Sequence, residues 1–126
     1  MNRRLLPALL GCAISAFGQT AQLCHSPGSI APNQTSQFIG SEQEKTVCGR
    51  VVGVHQTQKV TFINFGHAYP HQDFTIVIWD ADRKNVGSIP QDGACVCVTG
   101  LITQYKSKPQ IVLKDATKMT IQHPLK

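Results

Sequence analysis

The chain has 126 residues, of which 41% are hydrophobic and 15% charged. These values are close to globular averages, so they exclude collagen-like, low-complexity and wholly disordered chains, and the length fits one domain. Twelve Lys and Arg against seven Asp and Glu give a formal net charge of +5 at pH 7. Without Arg3 and Arg4, which lie in a segment predicted to be removed, ten basic residues face seven acidic ones, a balance of +3. That balance is compatible with a polyanionic partner but does not require one.

The beginning of the chain has the layout of a signal peptide. A basic start at positions 1–4 precedes a mostly apolar stretch at 5–17, and small and polar residues follow. We predict a signal peptide over residues 1–18, with cleavage after Gly18 or alternatively Ala21, and a secreted or periplasmic protein. A lipid anchor at Cys12 is the alternative. The apolar run is too short to span a bilayer, and no other segment approaches about 20 apolar residues, so no stable membrane insertion is expected.

Residues 19–43 are rich in Pro, Gly, Ser, Thr and Gln and have few large apolar side chains. Burial of such a segment cannot offset the entropy of ordering it, which predicts a flexible leader. We therefore place one domain at residues 44–122, followed by a short tail at 123–126.

From about residue 45 the pattern changes to short apolar runs, rich in β-branched and aromatic residues and separated by turn residues, which is typical of strands. We predict five strands, at residues 46–54, 59–65, 73–79, 95–103 and 109–114. Asp80 is a candidate N-cap for a short helical turn between the third and fourth strands. This order predicts an all-β fold, a five-stranded Greek-key OB-fold barrel. Gly53 and Gly100 agree with it, because long barrel strands must bulge or bend.

Several short stretches carry a resemblance to a known family. In chain order they are VCGRV at 47–51, TFINFG at 61–66, YP at 69–70, FTIVIW at 74–79, DR at 82–83, VCVTGLI at 96–102, YK at 105–106 and PQI at 109–111. Over about residues 45–121 the chain resembles a family of small exported bacterial OB-fold modules of the DNA-binding or nucleic-acid-binding type. Members also occur as accessory modules in nuclease-type architectures. The resemblance implies the OB fold and nucleic-acid binding, while Cys95 is an addition to the family pattern.

Four cysteines remain once the predicted signal peptide is removed, and an even number in an exported chain favours disulfides. Three pairings are possible. Cys95 and Cys97 lie two apart on one strand and therefore point to one face, where they are poorly placed to bond each other. The first and fourth strands are neighbours in an OB barrel, which favours Cys48–Cys97 and then Cys24–Cys95. The Cys-x-Cys spacing does not match common zinc or redox motifs, so no metal is predicted.

The sequence does not predict an enzyme. Acid–base catalysis needs carboxylates or a histidine held beside a partner. Asp80 and Asp82 lie where a strand becomes a helical turn, which favours capping. Only two arginines follow the predicted signal peptide, too few for a nuclease-type cluster of carboxylates and arginines. His67 and His71 share a loop with Asp73, but a proline precedes His71, so the helical spacing of a metal site is absent. No cofactor is predicted.

OB folds bind single-stranded nucleic acid with a basic groove and aromatic side chains on which bases stack. The groove lies over the second and third strands, between the loops that join strands one–two and four–five. The predicted site consists of Arg50, Lys59, Tyr69, Tyr105, Lys106 and Lys108. The two tyrosines are the expected stacking platforms because their loops offer no core to bury them. Trp79 is left unassigned, since strand alternation alone does not say which face points inward.

The sequence leaves two functions open. The first is a non-enzymatic module that binds single-stranded DNA or RNA weakly. The alternative is a structural or protein-interaction OB domain of the cell envelope with no nucleic-acid ligand. Export and the short loops favour the alternative, while the basic and aromatic residues of the loops favour the first.

Overall fold

The computed structural model describes residues 24–122. The predicted signal peptide, its cleavage positions, the Cys12 anchor and the tail at 123–126 lie outside the described residues. Within 24–122 the strands are β1 (Lys45–Gln56), β2 (Val60–Phe65), β3 (Phe74–Trp79), β4 (Cys95–Gly100), β5 (Thr103–Tyr105), β6 (Lys108–Val112) and β7 (Met119–Gln122). A single α-helical turn, α1 (Arg83–Val86), lies between β3 and β4, as predicted, and 3-10 helices occupy Pro32–Phe38, Asp80–Asp82 and Ala116–Lys118.

The strands form one sheet in the order β5-β6-β3-β2-β1-β4-β7. Neighbouring strands are antiparallel except for β3 and β6, which are parallel. The long strand β1 is shared, because its first half pairs with β4 and its second half with β2. β5 and β7 lie at the two edges, so the sheet is not closed into a barrel.

The prediction of a closed five-stranded barrel was therefore wrong in strand count and in closure. The predicted fourth strand is interrupted at Leu101 and Ile102, so it appears as β4 and β5, and β7 adds a further strand beside β4. A Cβ at Gly100 would lie 2.8 Å from Cγ2 of Ile111, which shows how closely the chain passes β6 at the interruption. The carbonyl of Ile102 then accepts a hydrogen bond from the Gly40 amide at 3.0 Å instead of pairing with a strand.

The strand β3 is covered on both faces. The side chains of Phe74, Ile76 and Ile78 are 0% exposed and belong to the hydrophobic core, and Thr75 and Val77 on the other face are also buried, so that only Trp79 is exposed in this strand. The rings of Phe65 and Phe74 pack with their centroids 5.6 Å apart. Burying each such side chain stabilises the fold by roughly 1.5–3 kcal/mol relative to exposing it.

A β-bulge at Gly53 lets β1 serve two partners. Val51 lies opposite Phe65 but Val54 lies opposite Ile63, so an extra residue is accommodated on the β1 side. Gly53 has φ +108°, a conformation that side-chain-bearing residues rarely adopt. Its amide donates to Asp92 Oδ1 at 2.7 Å instead of to β2. Gly53, in the predicted first strand, thus marks a bulge, as the sequence indicates.

The prediction of a flexible leader at 19–43 was wrong from Cys24 onward. The amide of Ile30 donates to the Thr46 carbonyl at 2.8 Å, and its own carbonyl accepts from the Cys48 amide at 3.1 Å. Thr35 is 0% exposed, and its hydroxyl donates to the Pro32 carbonyl at 2.7 Å. The apolar side chains that pack against the core are Ile30, Phe38 and Ile39. They are few and irregularly spaced, which is why no periodicity indicates their burial.

Two disulfides join the described cysteines, Cys24–Cys95 and Cys48–Cys97, and both pairings match the predicted ones. Cys48 and Cys97 lie directly opposite each other in the β1–β4 ladder, with their Cα atoms 4.0 Å apart. Each bond contributes typically about 2–4 kcal/mol by restricting the unfolded chain. Disulfides of this kind are typical of oxidising, extracellular compartments. Among residues 24–122 there is no helix with the length and apolar character needed to cross a membrane.

Candidate nucleic-acid interface

A tight hairpin between β5 and β6 carries three of the predicted site residues. Lys106 and Ser107 form its two-residue turn with φ values of 52° and 69°, the left-handed conformation that matches the twist of the flanking strands. Tyr105 is 62% exposed at the end of β5. The ammonium of Lys106 lies 5.4 Å from the centroid of the Tyr105 ring, within cation–π range.

The loop between β2 and β3, residues 66–73, carries Tyr69, whose side chain is 75% exposed. The ends of the loop are closed by a hydrogen bond from the Asp73 amide to the Phe65 carbonyl at 2.8 Å. Nδ1 of His67 lies 3.4 Å from Oδ2 of Asp73. A methyl group on Gly66 would overlap that carboxylate, at 2.1 Å from Oδ2. The loop is therefore folded back on itself with Tyr69 at its outside.

Lys108 connects the hairpin to this loop. Its ammonium donates to the carbonyl of Gln72 at 3.1 Å, a contact between residues 36 apart in sequence. Tyr69, Tyr105, Lys106 and Lys108 thus lie on two adjoining segments at one end of the sheet, and we refer to them as the hairpin–loop cluster. Lys108 is half-buried, and its hydrogen bond to Gln72 uses part of the hydrogen-bonding capacity of its ammonium group. Lys106 is exposed.

The other two predicted residues lie elsewhere. Arg50 stands opposite Cys95, where β4 begins, and donates through Nη1 to the Gly93 carbonyl at 2.8 Å. Lys59 lies in the turn before β2, and its carbonyl accepts a hydrogen bond from the Asp80 amide at 2.8 Å. Since β2 has six residues, its ends are separated by about 17 Å at ~3.3 Å per residue. Lys59 therefore lies at the opposite end of β2 from the loop that carries Tyr69. Arg50 precedes Val51, which lies opposite Phe65 at the same end of β2 as that loop, but β2 and β3 separate its strand from β6.

Trp79 is an exposed aromatic residue that the sequence left unassigned. It ends β3 opposite Val60, next to Lys59, and is 50% exposed. On the same outer side of the sheet, the rings of His55 and Phe62 are nearly parallel, with centroids 6.5 Å apart. The sequence could have predicted the exposure of Trp79. If Phe74 and Ile78 are taken as core, alternation along the strand places Trp79 on the opposite face.

The charges beside Trp79 are largely paired with protein groups. Nη1 of Arg83 lies 3.4 Å from Oδ1 of Asp80. A second nitrogen of the same guanidinium donates to the carbonyl of Thr57. These contacts fix the β1–β2 turn against the segment after β3, so Arg83 has a structural role in addition to any contact with a ligand.

No three His, Cys, Asp or Glu side chains in the part of the chain that the structure describes are grouped to hold a metal ion. His67 and His71, with Asp73, belong to the exposed loop described above. The arrangement at this end of the sheet therefore offers aromatic surfaces, two ammonium groups and backbone, which suit binding by stacking and charge.

Comparison with known proteins gives the fold but no family. No protein-family model and no curated protein matches the chain. Among solved structures it is similar to OBody AM2EP06 bound to hen egg-white lysozyme, with 14% sequence identity and a TM-score of 0.54. That match covers 79% of this chain and 94% of the other. It is also similar to OBody AM3L15 bound to hen egg-white lysozyme, with 13% identity and a TM-score of 0.52 over 72% of this chain and 84% of that one. These likenesses, at low identity, show that the chain has an OB-like fold.

Proposed function

We propose that the protein is a non-enzymatic OB-fold binding module that binds single-stranded nucleic acid weakly through the hairpin–loop cluster. The observation that carries the proposal is the hydrogen bond from Lys108 to Gln72, which joins the loop that carries the exposed Tyr69 to the hairpin that carries the exposed Tyr105. Stacking of a base on an aromatic ring contributes about 1–3 kcal/mol and tolerates any sequence. The adjoining ammonium groups neutralise phosphates of the same strand.

The charge of the cluster explains why the binding is weak. Two lysines correspond to about two neutralised phosphates, and for a single strand each contributes roughly −0.7 to the slope of log K against log salt. We therefore expect a slope near −1.4 from the cluster alone. Lys59 and Trp79, at the opposite end of β2 and β3, add contacts for strands long enough to reach them. Arg50 lies on β1, with β2 and β3 between it and β6.

The alternative is a protein-interaction OB domain with no nucleic-acid ligand. Exposed tryptophan and tyrosine side chains are the residue types that dominate binding energy at protein interfaces. Tyr69, Trp79 and Tyr105 supply them here. The two OBody structures, in which a similar fold is bound to lysozyme, support this alternative.

The test is a fluorescence-anisotropy titration with labelled oligo-dT and oligo-rU, between about 50 mM and 200 mM salt. We expect saturable binding that weakens with salt. A folded protein that binds neither oligonucleotide at low salt, or that binds with no dependence on salt, contradicts the proposal. A protein partner recovered reproducibly after mild crosslinking, with no nucleic acid, favours the alternative.

The absence of catalysis is tested in the same samples. Oligonucleotides incubated with the protein and Ca²⁺, Mg²⁺ or Zn²⁺ are expected to stay intact on a denaturing gel. Cation-dependent cleavage that co-purifies with the protein and is lost on mutation of its carboxylates would show that it is an enzyme.

A further inference from the structure

Both disulfides border one surface pocket. A pocket of about 180 Å³ is lined by Cys24, Cys95 and Cys97, together with His25 and residues 120–122 of β7. This is about six times the volume of a water molecule in the liquid, enough for the sulfur end of a thiol to enter. Cys48 does not line the pocket and is 2% exposed. Three of the four disulfide cysteines therefore line this pocket, and two of them, Cys24 and Cys97, are half-buried.

The two disulfides differ in what holds their partners together. Cys48 and Cys97 belong to β1 and β4, which are paired over Lys45–Arg50 opposite Cys95–Gly100. Cys24 belongs to no strand, and no backbone hydrogen bond joins Cys24 or His25 to another described residue. The first sheet-like contact of this segment is at Ile30. The Cys24–Cys95 bond thus connects residues 24–29 to β4, while the Ser26 hydroxyl contacts Sγ of Cys48 on β1 at 3.6 Å.

We propose that Cys24 is a site of mixed-disulfide formation with small thiols. A thiolate attacks Sγ of Cys24, and a new S–S bond forms there as the Cys24–Cys95 bond breaks. The electron pair leaves on Sγ of Cys95, which takes a proton from solvent. One disulfide is consumed and one is formed, so no external oxidant or reductant is needed. Attack falls on Cys24 because it is half-buried, whereas Cys95 is buried.

The same thiols leave the second disulfide closed. Attack on Cys97 would release Cys48, but the β1–β4 ladder keeps that thiol opposite the mixed disulfide, where it displaces the added thiol. The effective concentration of a group held in this way favours re-closure by orders of magnitude. After the Cys24–Cys95 bond opens, residues 24–29 have no such ladder, and Cys24 moves away from Cys95. Small thiols therefore open Cys24–Cys95 and leave Cys48–Cys97 closed.

The experiment treats the oxidised, folded protein with reduced glutathione at millimolar concentration, quenches with an alkylating reagent and maps the peptides by mass spectrometry. We expect one glutathione on Cys24 and one alkylated thiol on Cys95, with Cys48–Cys97 intact. The first bond should open at least about tenfold faster than the second. In urea this selectivity should vanish, because the ladder is lost.

Two double variants serve as controls. Cys24→Ser with Cys95→Ser should fold with a lowered Tm, keep Cys48–Cys97 and acquire no glutathione. Cys48→Ser with Cys97→Ser should still acquire it on Cys24 wherever its circular dichroism shows a folded chain. Equal opening rates of the two bonds in the folded wild type, a glutathione on Cys97, or an adduct that forms only in urea would overturn the proposal.

Discussion

Gly49 of β1 and Pro32 of the 3-10 helix Pro32–Phe38 are in direct contact. A Cβ at Gly49 would lie 2.5 Å from Cγ of Pro32 and 3.0 Å from Cδ2 of Phe65. The glycine therefore leaves the space in which the segment before β1 packs against the strand. Gly49 is thus the position on β1 against which the N-terminal segment packs.

Replacing Gly49 by alanine should destabilise the protein by about 1–3 kcal/mol, since an added methyl group overpacks this contact. Urea denaturation of the oxidised protein measures the change. In a Pro32→Ala background the same substitution should cost less, because the nearest atom has been removed. Equal costs in the two backgrounds would show that Pro32 does not limit the space at Gly49.

Thr35 provides a second test that the segment before β1 belongs to the fold. Thr35→Ala removes the buried hydroxyl that donates to the Pro32 carbonyl and should lower stability by about 1–2 kcal/mol. Ser36→Ala, on an exposed neighbour, should be neutral within about 0.5 kcal/mol. If both variants unfold at the same urea concentration as the wild type, residues 32–38 contribute nothing to global stability.

Tyr105 and Lys106 should weaken oligonucleotide binding in different ways. Tyr105→Ala removes a stacking platform and should raise Kd about 5- to 160-fold, the equivalent of about 1–3 kcal/mol. Lys106→Gln should reduce the magnitude of the salt slope by about 0.7 and weaken binding to all sequences alike. Lys84→Gln, on the exposed side of α1, is the matched charge control. A salt slope that falls equally in the Lys84 and Lys106 variants would mean that the cluster holds no phosphate.

Asp115 gives a prediction for pH. Its carboxylate accepts hydrogen bonds from the side chain and the backbone amide of Thr117, and these lower the pKa of Asp115 below its ordinary value of 3.8. A carboxyl whose pKa is lower in the folded state adds stability above its unfolded pKa and loses it as pH falls through the folded pKa. Asp115→Ala should therefore lower Tm at neutral pH, and its difference from the wild type should shrink below about pH 4.

The same carboxylate can be followed directly. Because the hydroxyl of Thr117 is the largest cause of the shift, Thr117→Val should move the pKa of Asp115 back toward 3.8 in an NMR titration. Thr120→Val, on β7, leaves both hydrogen bonds in place and should not change it. An Asp115 pKa that is the same in wild type and Thr117→Val would exclude this cap as the cause.

Local pattern predicted the strands and the bulge. The run of β-branched and aromatic residues at 73–79 identified β3, and glycine marked the bulge at Gly53, whereas alternation left open which face of β3 points inward. Strand neighbourhood in the expected OB order led to both disulfides. These features depend on residues close in sequence or on one topological rule, so the sequence contains enough to find them.

The features that were missed depend on contacts between distant segments. The packing of the segment around Thr35 requires a gap beside Gly49 that exists only once β1 and β2 are assembled. The interruption of the predicted fourth strand depends on the approach of Gly100 to Ile111. For the candidate site, the sequence placed Tyr69 and Tyr105 in separate loops, and the parallel pairing of β3 with β6 and the contact of Lys108 with Gln72 bring these loops together.

The order of the cysteines along the chain makes oxidative folding demanding. Among the cysteines that the structure describes, Cys24 and Cys48 come first in the chain, and their native partners follow 71 and 49 residues later on a single strand. Before β4 exists, these two thiols can join each other, and the loop that they close is shorter than either native one. Productive maturation therefore requires that this premature cross-link be delayed or reshuffled, and a disulfide isomerase would be expected to speed recovery of the protein from its reduced form.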